Sequence, residues 1–212
     1  MSTTTSTTKP QDNLIRTVLA LEQIMTTGGG WQDQIGGLIG GFKYTTSLRK
    51  QISPLSLSIQ VVTPKQQQQD QHTNFTTPTN NIYTQLSKRL VLVYCGKSRL
   101  AKNILQNVLR RWNTRNYDIM STIQDLVHGA ECAKVAFENN DILSIGKCLR
   151  NYWEQKKIMA GVGFSNNSNV EPDSVRKTLR ILYELDEIIG GSLCGAGGKK
   201  AYLFLRVIQY TV

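Results

Sequence analysis

Apolar positions recur along this chain with two periods, and the places where they switch mark its elements. Leu14, Val18, Leu21 and Met25 repeat at helical spacing with Ile15 and Leu19 beside them, which predicts a helix from about 13 to 26. Leu38 to Tyr44 is short and apolar, and a hairpin is expected to follow it. Leu55, Leu57, Ile59 and Val61 alternate with Ser56, Ser58 and Gln60, the pattern of a half-buried strand. The continuous apolar run Leu90 to Tyr94 predicts a strand buried on both faces, with a turn at Cys95 to Arg99. Helices are then predicted in succession. Leu100, Ile104, Leu105, Val108 and Trp112 mark one, and Ile123, Leu126, Val127, Ala130 and Phe137 mark the next. Asn139-Asn140-Asp141 reads as a turn with Asp141 as N-cap. Ile142, Ile145, Leu149 and Trp153 define a third helix running to about Met159, with Trp153 in the core. A Gly/Ser/Asn loop covers 161–170. Pro172 suits the first turn of a fourth helix, carried by Val175, Leu179 and Leu182 and ended by Gly190-Gly191. A glycine-rich turn at 192–198 precedes a last strand from Tyr202 to Ile208. Helices and strands mixed in this order predict an α+β fold.

Two stretches carry no apolar period. Residues 1–12 are polar and expected to be disordered, and the Gln/Asn/Thr-rich stretch 63–85 reads as a surface loop. His72 lies in that loop as a bystander, and His128 in a helical pattern as a structural residue. The net charge of +10 suits phosphate-bearing ligands, nucleic acid or an anionic surface, and equally a basic solvated surface. No RNA- or DNA-binding motif accompanies it, so nucleic acid is not expected as a partner. No apolar run nears the length of a membrane span, and the Ser/Thr-rich N-terminus has no apolar core of a secretory signal. Cys95, Cys132, Cys148 and Cys194 form no C-x-x-C pair. They fall in apolar stretches, as reduced core thiols of a cytoplasmic protein would, and no metal site is expected.

The chemistry-bearing stretch is T-T-G-G-G-W-Q-D-Q-I-G-G at 26–37: one acid among glycines and amides. Glycines permit positive φ and close backbone approach. Read alone, Asp33 is a turn aspartate bonded to nearby amides. A second glycine-rich loop, G-S-L-C-G-A-G-G, spans 191–198, and neither loop matches G-x-x-x-x-G-K-[ST] or G-x-G-x-x-G. With Y-C-G-K-S-R-L-A at 94–101 and N-Y-W-E-Q-K-K-I-M at 151–159, the series resembles the C-terminal part of the L-fucokinases. These belong to the GHMP kinases, and a bacterial heptose-phosphate kinase has a related pattern. The resemblance covers about 13–205 apart from the polar insert.

It implies a GHMP-kinase C-terminal domain with ferredoxin-like layers at 86–212. A partial N-terminal kinase domain with the acid motif would occupy 13–62. It implies ATP and Mg2+ as cofactors, a small sugar as partner, and Asp33 as catalytic base toward the sugar hydroxyl. Gly29, Gly30, Trp31, Gly195, Ala196, Gly197 and Gly198 would line the acceptor site. Arg99 belongs to the matched pattern; Glu154 and Lys156 would face the acceptor region. Trp31 has two open readings, packing on a sugar ring and packing in the core. Where the family continues with glycines, this chain has Lys199-Lys200. These would clash if positive φ were required, or would meet phosphate.

The family holds ATP phosphates on a loop of the type P-x-G-x-G-L-G-S/T-S, and this sequence contains none. The nucleotide-binding residues are therefore unassigned. The expectation is a C-terminal portion of a kinase whose partner is an N-terminal kinase segment, with an exposed apolar face where that segment packs. The alternative is a GHMP-fold interaction or regulatory module without catalysis.

Overall fold

The computed structural model describes residues 9–24, 30–48, 56–65, 81–100, 102–161, 171–194 and 197–206. It mixes helix and strand, as an α+β fold requires, and divides into two units between Thr63 and Pro64.

The first unit holds α1 (Lys9–Ile24), α2 (Gln32–Leu38), β1 (Lys43–Leu48) and β2 (Ser56–Val61). Helix α1 starts earlier than its apolar period indicates. Residues 9–12, expected to be disordered, form its first turn, where Pro10 costs no hydrogen bond. β1 and β2 pair antiparallel, Lys43 opposite Val61 and Leu48 opposite Ser56, so the predicted hairpin is present. Ile15, Ile35 and Ile59 are buried together, and Leu19, Trp31, Ile39 and Leu57 pack on them. One apolar face each from α1, α2 and β2 thus makes this core, and Trp31 belongs to it.

The second unit holds α3 (Ile82–Arg89), β3 (Leu90–Leu100), α4 (Lys102–Asn113), α5 (Tyr117–Glu138), α6 (Ile142–Met159), α7 (Asp173–Glu184), β4 (Ile188–Cys194) and β5 (Gly197–Arg206). Its sheet has the order β3-β5-β4, antiparallel throughout. Helix α3 takes residues 82–85 out of the predicted loop. Asn81 caps it, its side chain accepting from the Tyr83 N–H at 3.0 Å. Residues 66–80 lie outside the described residues.

β3 continues through the turn expected at Cys95 to Arg99. The ladder shifts register between Tyr94 and Ser98, so Gly96 falls in a strand irregularity rather than a chain reversal. Nor are Leu90 to Tyr94 buried: Leu92 is 65% and Tyr94 57% exposed. β3 pairs on one side only, with β5, so an apolar run here marks an edge strand.

Trp153 of α6, Val175 and Leu179 of α7, and Ile188 and Leu193 of β4 form the second core. Trp153 is 3% exposed, as its place in the apolar period predicts. Its Nε1–H donates to Oε1 of buried Glu171 at 2.8 Å, and Lys157 lies 4.0 Å from that carboxylate. A carboxylate can stay in a core only with such partners.

The α5–α6 turn is as predicted. Asn140 takes φ 57°, and the Asp141 carboxylate accepts from the Ser144 N–H at 3.0 Å. Helix α7 ends at Glu184, before Gly190-Gly191, with Leu185 as C-cap and Asp186 at φ 52°. The two glycines lie inside β4 instead. Cys132 is exposed, against the expectation of a core thiol, and its Sγ lies 3.5 Å from Nε2 of His128. Cys148 and Cys194 are half-buried.

Candidate functional site

Helix α2 positions the acid. It has seven residues, and Trp31 at its N-cap position gives it no side-chain cap. Trp31 and Ile35 turn into the core, and Ile35 is 2% exposed. A helix advances about 100° per residue, so fixing that face aims Asp33 the other way. Asp33 is exposed and stands in the first turn, where helix N–H groups favour a carboxylate.

The residues that share its face are glycines. Gly36 and Gly37 follow at i+3 and i+4, the positions that neighbour Asp33 on a helix surface. A Cβ on either would meet nothing within 4 Å. These glycines are therefore not needed for close packing; they leave the helix bare beside the carboxylate. At Gly30 a Cβ would meet only the movable end of the Gln32 side chain.

The far end of α2 is held by a cation. Lys43, at the start of β1, donates from its ammonium to the carbonyls of Ile39, of Gly41 at 3.0 Å, and of Gly36 at 3.5 Å. A cation on the last carbonyls complements the helix and fixes its direction. Gln34 is 5% exposed, and neither its Nε2 nor its Oε1 has a partner. The motif quoted from the sequence contains both residues, but nothing in their types signals that Lys43 caps α2 or that Gln34 is buried.

Gly30, Trp31 and Asp33 therefore lie together at the start of α2. Gly197 and Gly198 belong to the second unit, in β5, opposite Leu100 and Arg99. Gly29, Gly195 and Ala196 lie outside the described residues. Lys199 and Lys200 continue β5 as strand, Lys199 opposite Ser98, so the positive φ that would make them clash is not required. Glu154 pairs with Lys157 at 2.7 Å, and Lys156 lies over the Tyr152 ring at 4.8 Å. Arg111 bonds the carbonyls of Ile158 and Met159, each at 2.9 Å, which closes the end of α6. Among the described residues no three His, Cys, Asp or Glu side chains cluster as metal ligands, and no helix is long and apolar enough to cross a membrane.

This arrangement defines an α+β protein with an exposed helix-borne carboxylate beside a bare glycine surface. No protein-family model matches the chain. Over 194 residues it is 30% identical to the bifunctional fucokinase/GDP-fucose pyrophosphorylase of Arabidopsis thaliana, covering 88% of this chain and 15% of that protein. Over 196 residues it is 26% identical to the L-fucokinase/L-fucose-1-P guanylyltransferase of Bacteroides fragilis, covering 92% of this chain and 18% of that protein. The chain is thus homologous, at low identity, to a segment of proteins with fucokinase activity, and spans less than a fifth of their length.

Proposed function

We propose that this chain carries the acceptor side of a sugar-kinase site, with L-fucose as acceptor and its anomeric hydroxyl as the phosphorylated group. Both relatives are named for two activities. The motif around Asp33 is what favours the kinase activity over nucleotidyl transfer. The observation that carries the reading is the carboxylate of Asp33 exposed on α2 beside Gly36 and Gly37. A sugar can approach such a carboxylate without meeting a side chain on that face.

Asp33 would accept the proton of the sugar hydroxyl as that oxygen attacks the γ-phosphorus of ATP. The bond to the β-γ bridging oxygen breaks, and ADP leaves. A positioned base of this kind contributes about 10²- to 10⁴-fold in rate. Mg2+ enters with the nucleotide, as part of the substrate complex. The absence of a clustered ligand set among the described residues fits that route. Trp31, held half-buried by the first core, would fix the start of α2 and with it the carboxylate.

Isothermal titration of L-fucose into the purified chain tests this reading. Saturable one-to-one binding is expected. The absence of saturable heat at millimolar sugar would overturn it.

A further inference from the structure

The buried polar side chain next to the acid has no structural explanation within the chain. Gln34 is 5% exposed, yet neither the donor nor the acceptor of its amide is paired. Buried polar atoms are nearly always satisfied, and leaving both ends of an amide unpaired disfavours the folded state. Methionine, close in shape and apolar, would suit a site that served only packing.

Position makes the amide informative. Gln34 follows Asp33 directly and lies about 100° around α2 from it. It therefore stands on the border between the bare face of Asp33, Gly36 and Gly37 and the core face of Ile35. α2 itself is anchored at both ends, by Trp31 in the core and by Lys43 on its last carbonyls. The amide is thus held in a fixed place beside the carboxylate.

A primary amide offers a donor and an acceptor side by side. Two hydroxyls on neighbouring ring carbons offer the complement, since each hydroxyl both donates and accepts. Resting on the sugar-kinase reading, we infer that Gln34 is an acceptor-binding residue. Its Nε2 donates to one hydroxyl of a vicinal pair on the sugar, and its Oε1 accepts from the other. The amide is covered in the free chain, so the sugar enters by displacing what covers it. Its polar atoms are satisfied only in the complex. A site that hydrogen-bonds a substrate in this way selects strongly against sugars that lack the paired hydroxyls.

The test is Gln34→Met in the same chain, read by thermal unfolding and by L-fucose titration. The expected result is a Tm raised by a few degrees, about 4 °C for a small domain, because an unpaired buried amide has been removed. L-Fucose binding is expected to weaken more than about threefold, and near tenfold if both hydrogen bonds are lost. A lowered Tm, or failure to fold, would show a structural partner for the amide and overturn the inference. So would a raised Tm with a smaller loss of binding. If the unsubstituted chain binds no L-fucose, the sugar-kinase reading fails first and the inference falls with it.

Discussion

Gly190 of β4 lies directly against the backbone of Gly146 in α6. A Cβ placed on Gly190 would come within 2.9 Å of the Gly146 carbonyl carbon, nearer still to its oxygen, and 3.2 Å from the Arg150 nitrogen. Both residues are buried, and backbone meets backbone with no side chain able to yield. This contact seats α6 on the sheet. Gly190→Ala is expected to cost about 3 kcal/mol or more, the upper range of overpacking, because the helix must lift from β4. Gly129→Ala is the control. It sits within α5 with nothing within 4 Å of its Cβ, and should gain up to about 1 kcal/mol from helix propensity. Urea unfolding of the two variants checks the pair; equal midpoints would contradict the contact.

The bare face of α2 separates binding from stability. Gly37→Leu adds a side chain into open space beside Asp33. Leucine is the better helix former, so stability should be unchanged or higher by up to about 0.8 kcal/mol. L-Fucose binding should be blocked. Titration and thermal unfolding of one sample check both, and unimpaired binding would remove the glycine face from the acceptor site.

Asp141 gives the α5–α6 hairpin a pH dependence. Its carboxyl is held below its ordinary value chiefly by the hydrogen bonds from Ser144, with the Lys147 ammonium adding to the effect. A lowered folded value means that the contribution is present above the unfolded value, near 3.9, and lost as pH falls through the folded one. Asp141→Ala should cost about 1 kcal/mol at neutral pH, as losing an N-cap does. Asp141→Asn keeps a capping oxygen, so it should cost less and flatten the acid limb. Tyr183 acts at the other end of the scale. Burial raises its phenol above the usual value, so its contribution is full below about pH 10 and declines as pH rises through the folded value. Stability measured against pH for the three chains checks the acid limb, and parallel curves below pH 4 would contradict it.

What the sequence reveals depends on whether the signal is local. The N-cap at Asp141 and the burial of Trp153 follow from neighbouring residues, and both are found. Gly190-Gly191 reads locally as a helix end. Its reason is the backbone of Gly146, more than forty positions earlier, and no local pattern records that. The apolar run Leu90 to Tyr94 identifies a strand, but not that it pairs on one side only. Gly96 suggests a turn, whereas the pairing with β5 carries the strand through it. At the candidate site the motif makes Asp33 legible. The burial of Gln34 is not, because glutamine among glycines reads as solvated until the core beneath α2 is seen.

The central claim is that Asp33 is the base for phosphoryl transfer to a sugar. The most direct measurement places this chain in the corresponding segment of the Arabidopsis thaliana bifunctional protein. Formation of L-fucose 1-phosphate from Mg-ATP is then followed with Asp33 and with Asp33→Asn. The expected result is a kcat lower by about 10²-fold or more in the Asn form, with the KM for Mg-ATP little changed. Equal turnover by the two forms would contradict the claim.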